Sequence, residues 1–178
     1  TGGDVLAKGA PVEAMRALLD ALTEAGCTVE VTDEGVRVRR EGPLRGVTVV
    51  TRPYPGFPTD MQAQWMTLMT MATGKSEIVE TIFENRFMHA AELLRMGARI
   101  DVQGNRAVIE GIESLTGATV MATDLRASAS LVLGGLAAQG TTEVLRLYHL
   151  DRGYEHLVEK LGALGAVVER VPEDQRPS

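Results

Sequence analysis

The chain has 178 residues and a formal net charge of −6, from 18 Lys and Arg against 24 Asp and Glu. Its 44% hydrophobic and 24% charged residues are the composition of a globular domain and exclude a disordered chain, and a single Cys excludes a disulfide scaffold. The acidic balance argues against a nucleic-acid partner, and the longest charge-free run, residues 127–142, contains Ser, Gly, Gln and Thr where a membrane span needs about 20 strongly apolar residues. One Cys and no secretory signal fit a reducing, cytoplasmic setting.

The first elements expected are a short strand over 3–6 and an amphipathic helix over 11–25, with Met15, Leu18, Leu19 and Leu22 on one face. Gly26 ends that helix as a C-terminal glycine does, and a hairpin of 28–31 and 36–40 turns at Glu34-Gly35. Thr59-Asp60 then opens a helix over 60–72, with Thr or Asp as its N-cap. Beyond its first turn this helix carries no charge, which predicts burial on all sides. A strand over 76–82, an amphipathic helix over 86–96, Gly97 and a second hairpin (100–103 and 106–110, around Gly104-Asn105) follow.

Thr123-Asp124 starts the same series again: a charge-free helix over 124–138, Gly140, a strand over 141–147, an amphipathic helix over 154–164, Gly165 and a strand over 166–170. The segments led by Gly26, Gly97 and Gly165 are three copies of one ending. The repeating unit reads strand, buried helix, strand, amphipathic helix, strand, strand. The predicted organisation is one α/β domain over 1–171, with units at 1–52, 53–117 and 118–171 and a polar tail over 172–178. The first unit lacks its opening strand and buried helix, so the chain is expected to begin inside a domain.

Repeat-related positions bring candidate chemistry to one end of the domain. Asp60 and Asp124 open the two buried helices, where the helix dipole favours an anion, and each could accept a hydrogen bond and then a proton from a substrate hydroxyl. Arg86 and Arg152 are expected in the first turns of amphipathic helices, where a cation opposes the dipole and an anionic ligand would explain it. Arg126 adds a third guanidinium suited to phosphate or carboxylate. Cys27 aligns with Ala98 and Ala166, so it is expected to be core and inert. His89, His149 and His156 have no metal-ligand spacing, and no metal or cofactor is expected. Gly134-Gly135 falls within a helix and is expected to serve close packing.

Four strings are then identifiable: PYPGFPTDMQAQ (53–64), FENRFMHAAELLRMGA (83–98), ATDLRASASLVLGGLAAQG (122–140) and YHLDRGYEHLVEKLGALGA (148–166). They resemble the UDP-N-acetylglucosamine 1-carboxyvinyltransferase family over nearly the whole chain, from Gly3 to Val171. The resemblance implies an inside-out α/β barrel domain, built of βαβαββ units around buried parallel helices. It implies the C-terminal part of a two-domain enzyme that moves the enolpyruvyl group of phosphoenolpyruvate to the 3′-hydroxyl of UDP-N-acetylglucosamine. Phosphate is released through a tetrahedral phospholactoyl adduct, in the first committed step of peptidoglycan synthesis.

The resemblance carries roles residue by residue. Asp60 matches the proposed general base, which hydrogen-bonds the sugar hydroxyl. Ile82 matches a residue whose backbone meets the sugar nucleotide. Arg152 matches an Arg that binds phosphoenolpyruvate, and Arg86 a cleft Arg. Asp124 and Arg126 match residues that organise the reacting centre. The family's Cys acid and essential Lys have no counterpart among these 178 residues, so the N-terminal domain of the same enzyme is the implied partner and the chain alone is expected to be inactive. The rivals are another enolpyruvyl transferase, such as 3-phosphoshikimate 1-carboxyvinyltransferase, and a non-catalytic module binding anions or sugar nucleotides.

Overall fold

The structure is a computed structural model and describes residues 1–172. It has nine strands and five α-helices among those residues. Strands β1 (Asp4–Lys8), β2 (Thr28–Thr32) and β3 (Gly35–Arg39) form an antiparallel sheet in the order β1-β3-β2, and helix α1 (Arg16–Glu24) connects β1 to β2. The second sheet holds β4 (Val49–Val50), β5 (Lys75–Val79), β6 (Arg99–Gln103) and β7 (Arg106–Glu110) in the order β4-β5-β7-β6. Only its β4–β5 pair is parallel. Helix α2 (Gln62–Met69) links that parallel pair, and α3 (Met88–Arg95) links β5 to β6.

The third part has parallel strands β8 (Thr119–Met121) and β9 (Glu143–Leu145), joined by α4 (Leu125–Ala137). After β9 come a 3-10 segment, Leu147–Arg152, and α5 (Leu157–Ala163). The arrangement of β5, β7 and β6 thus reproduces that of β1, β3 and β2, and the β4–α2–β5 crossover reproduces β8–α4–β9. One backbone device recurs with it. A Cβ at Gly46 would stand 2.3 Å from the Lys75 carbonyl oxygen, and one at Gly117 would stand 2.3 Å from that of Thr141. Only glycine lets the chain pass there on its way into β4 and β8.

Both charge-free helices sit in the core. Trp65, Met66 and Met69 of α2 pack with Leu131 of α4, Ile78 of β5, Leu93 and Met96 at the end of α3, and Ile109 of β7. Each of these side chains is essentially fully buried, and burial of one large apolar side chain contributes roughly 1.5–3 kcal/mol. Small residues let α2 and α4 approach closely. A Cβ at Gly134 would stand 3.4 Å from the Thr67 methyl, and the Thr67 hydroxyl donates to the Ser130 carbonyl at 3.3 Å. Because their N-termini lie at one end, the two helices present their first turns on a common rim.

Two expectations fail here. Helix α4 is not buried on all sides: Val132 and Leu136 are half-buried and Leu133 is exposed, because no element among the described residues covers that face. Residues 166–170 form no strand, and Val167 is fully exposed. The corresponding β2 and β6 each pair with a hairpin partner, β3 and β7. No such partner follows within the described residues, and an unpaired segment satisfies no ladder. Among the described residues no helix is long and apolar enough to cross a membrane.

Candidate functional site

Identical Thr-Asp pairs at the starts of α2 and α4 adopt different geometry. Asp124 has extended backbone angles (φ −158°, ψ 178°) and is a true N-cap: its carboxylate accepts from Arg126 N at 2.8 Å and Ala127 N at 3.1 Å, both at Oδ1. That satisfies two of the donors a helix start leaves unpaired. Asp60 caps nothing. It lies inside a 3-10 turn, Thr59–Met61, and its side chain is 64% exposed. The expectation that both pairs act as caps is therefore wrong for the first, since the extra 3-10 turn carries Asp60 into the helical segment and frees its carboxylate.

That freed carboxylate is where the guanidinium groups converge. Arg126 donates from Nε to Asp60 Oδ1 at 2.8 Å and brings its second nitrogen to 2.5 Å of the same oxygen. The Arg86 guanidinium approaches Asp60 Oδ1 at 3.9 Å and lies over the Phe83 ring, 4.6 Å from its centroid. Asp60 Oδ2 accepts no hydrogen bond within the described residues. Arg126 links the two aspartates, its backbone N–H held by Asp124 and its side chain by Asp60. The rim thus runs Asp124, Arg126, Asp60, Arg86, Phe83.

Arg86 and Arg152 are not in helical first turns. Arg86 lies in the turn before α3, and Arg152 ends the 3-10 segment, five residues before α5. The dipoles of α3 and α5 therefore do not oppose these two cations as the sequence suggested. The backbone next to Arg152 nonetheless packs at the start of α4, where a Cβ on Gly153 would stand 3.0 Å from the Leu125 methyl carbons. Buried Leu150 anchors this segment, and Gln64 Nε2 donates to the Tyr154 hydroxyl at 3.1 Å, fastening it to α2. Asp151 pairs with Arg170, which leaves Arg152 without a carboxylate partner among the described residues.

Ile82 is half-buried in the turn after β5, and its N–H donates to Glu80 Oε1 at 2.8 Å. A backbone contact from Ile82 to a ligand therefore has to come from its carbonyl. His89 is buried under the rim. Burial pulls its imidazole down to about 4, Asp124 opposes that shift and Arg86 adds to it. Cys27 is half-buried where full burial was expected. Burial raises its thiol above the ordinary value against the opposing pull of Arg40. Among the described residues no group of His, Cys, Asp and Glu could hold a metal. Sequence reasoning missed Glu80 and Phe83. The signal for Glu80 was the strand period, which puts residues 76, 78 and 80 on one inward face.

This architecture of buried helices between repeated sheets is that of the enolpyruvyl transferases. A family model described as EPSP synthase (3-phosphoshikimate 1-carboxyvinyltransferase) matches residues 1–161, and the chain belongs to that family. Among its relatives is a UDP-N-acetylglucosamine 1-carboxyvinyltransferase of Beijerinckia indica, 60% identical over 171 residues, covering 96% of this chain and 40% of that protein. Another, of Novosphingobium aromaticivorans, is 60% identical over 174 residues, covering 98% of this chain and 41% of the relative. The chain therefore spans about two fifths of the length of these curated relatives. Among solved structures, the enolpyruvyl transferase NikO from Streptomyces tendae matches with a TM-score of 0.80 and 34% identity, over 87% of this chain and 36% of that one. EPSP synthase from Acinetobacter baumannii matches with a TM-score of 0.56 at 18% identity over 72% of this chain and 32% of that one, a likeness of fold.

Proposed function

We propose that this chain is the C-terminal part of an enzyme that transfers the enolpyruvyl group of phosphoenolpyruvate to the 3′-hydroxyl of UDP-N-acetylglucosamine, releasing phosphate, in peptidoglycan synthesis. The observation that carries the reading is Asp60, exposed on the rim with Oδ1 held by Arg126 and approached by Arg86 while Oδ2 is open. The two guanidinium groups orient the carboxylate. Its open oxygen then receives the sugar hydroxyl's hydrogen bond and takes its proton as that oxygen attacks. Arg152, without a carboxylate partner among the described residues, receives the anionic groups of phosphoenolpyruvate, with Arg86 and Arg126 beside it. Asp124 acts through Arg126, since its own Oδ1 is committed to the cap. The Ile82 carbonyl receives a donor of the sugar nucleotide.

The reading extends to the organisation of the protein. Residues 1–171 act as one domain with units at 1–52, 53–117 and 118–171, supported by the recurring strand orders. A second domain supplies the acid and the Lys that these residues lack, and closure between the two excludes water and strengthens the charge contacts. The reaction takes place in the cytoplasm, which the lone thiol suits. The test is phosphate release by the full-length gene product. It should require phosphoenolpyruvate and UDP-N-acetylglucosamine together, and shikimate 3-phosphate should not replace the sugar nucleotide. Release with shikimate 3-phosphate alone as acceptor would assign the chain to the sister reaction.

A further inference from the structure

Glu80 is a buried carboxylate, 2% exposed, that makes no ion pair among the described residues. Its charge is met by four hydrogen-bond donors instead. Oε1 accepts from the Thr51 hydroxyl at 2.7 Å, from Ile82 N at 2.8 Å and from Phe83 N at 3.2 Å. Oε2 accepts from the Thr59 hydroxyl at 2.8 Å. Burial alone would raise this carboxyl, but donation from Thr51, Ile82, Thr59 and Phe83 outweighs it and leaves the group below the ordinary Glu value. Its backbone is pinned as well. Glu80 N donates to the Asn105 carbonyl at 2.8 Å, and Asn105 Nδ2 donates back to the Glu80 carbonyl at 3.1 Å.

The four donors come from three separate places. Thr51 follows β4, Thr59 directly precedes Asp60, and Ile82 and Phe83 form the turn that leads to Arg86. A second tie runs alongside: Thr81 N donates to the Thr51 hydroxyl at 2.9 Å, and the Thr81 hydroxyl donates to the Thr51 carbonyl. We infer that Glu80 is a positioning residue for the transferase, a buried anion that locks the Asp60 turn to the Ile82–Phe83 turn so that the base and the sugar-nucleotide contact keep one geometry. The inference rests on the functional reading above. No role for Glu80 itself at the reacting atoms is implied, because both of its oxygens are already engaged by the protein.

A carboxylate suits this task for a geometric reason. It accepts only, so every one of its neighbours must donate, and it can gather hydroxyls and backbone N–H groups from loops that do not otherwise touch. Glutamine nearly reproduces the pattern. Its carbonyl oxygen can replace Oε1 for Thr51, Ile82 and Phe83, and its amide can donate to the Thr59 hydroxyl, which also accepts. Alanine reproduces none of it.

The experiment uses the full-length gene product, in three variants and one control. In Glu80→Ala, KM for UDP-N-acetylglucosamine should rise about tenfold or more, while KM for phosphoenolpyruvate changes less than about threefold. Glu80→Gln should recover most of that loss, to within about threefold of wild type. Thr59→Val cuts only the tie to the Asp60 turn and should lower kcat about fivefold to tenfold, with little change in melting temperature. Ile109→Ala, in the same sheet, should lower the melting temperature and leave both KM values in place. The inference is overturned if Thr59→Val keeps kcat within about twofold, or if Glu80→Ala and Ile109→Ala shift both KM values alike. If Glu80→Ala does not fold, Thr59→Val and Glu80→Gln still decide. A wild-type protein that releases no phosphate from the two substrates would refute the functional reading instead, which keeps the two failures apart.

Discussion

Asp60 and Asp124 open matching helices with the same two-residue motif, and the structure assigns them opposite burdens, so substituting each in turn should separate stability from chemistry. In Asp60→Asn the amide oxygen can still accept from Arg126 Nε, now 2.8 Å from Oδ1, but the open oxygen becomes an NH2 that cannot take a proton. Loss of a general base costs about 10²–10⁴-fold in rate, so kcat and kcat/KM of the full-length enzyme should fall together by that factor. Stability should barely move, because Asp60 caps no helix and a solvent-exposed ion pair contributes about 0–1 kcal/mol. In Asp124→Ala the two backbone donors of Arg126 and Ala127 lose their acceptor, a loss of about 1–2 kcal/mol. For a chain of this size that is about 2–8 °C in melting temperature, while Asp124→Asn, itself a good cap, should lose little. Thermal melts of the 178-residue chain and steady-state kinetics of the full-length enzyme read the two effects independently. The reasoning is refuted if Asp60→Asn melts as early as Asp124→Ala, or if it retains kcat within about threefold of wild type.

Three further outcomes follow from the same structure. Leu131→Ala should lower unfolding stability by about 2–5 kcal/mol in urea titrations, because Leu131 is fully buried between α2 and the sheet. His89 has its folded value pulled down to about 4 from 6.5, so protons bind the unfolded state first and stability is lost as pH falls from about 6.5 toward 4. Between pH 7 and 5 this amounts to about 2 kcal/mol, which His89→Leu should abolish from the pH dependence of unfolding. The 178-residue chain alone should release no phosphate from phosphoenolpyruvate and UDP-N-acetylglucosamine above a protein-free control; turnover by it would overturn the assignment of the acid and Lys to another domain.

Much of the fold could be read from periodicity and punctuation. Gly26, Gly97 and Gly165 end their helices with positive φ, at 99°, 89° and 95°, as three aligned glycines suggested. The charge-free stretches after Asp60 and Asp124 became the core helices α2 and α4. The failures lie where a residue's role depends on a partner remote in sequence. Residues 166–170 have strand composition, but a strand is made by its neighbour. Asp60 and Asp124 look alike until backbone angles show that one is extended and the other lies in a 3-10 turn. The strand period turns Glu80 inward, but nothing local in the sequence joins it to Thr51 and Thr59, 29 and 21 residues upstream, which are its donors.

The distribution of guanidinium groups explains how an acidic chain can make a site for a polyanion. Across the surface most Arg residues are neutralised pairwise: Arg37 by Asp4, Arg39 by Glu30, Arg106 by Glu77 and Arg170 by Asp151. At the rim the ratio reverses. Arg86 and Arg126 share the single carboxylate Asp60, the Asp124 carboxylate is spent on its helix cap, and Arg152 has no carboxylate partner among the described residues. Two guanidinium groups therefore share one carboxylate at this end of a protein of net charge −6. In a protein that is acidic overall, such a local excess of guanidinium groups is where an anion is drawn. Under the proposed function, a substrate with a carboxylate and a phosphate is drawn to these guanidinium groups, while Arg126 holds Asp60 Oδ1 and leaves Oδ2 open for the sugar hydroxyl.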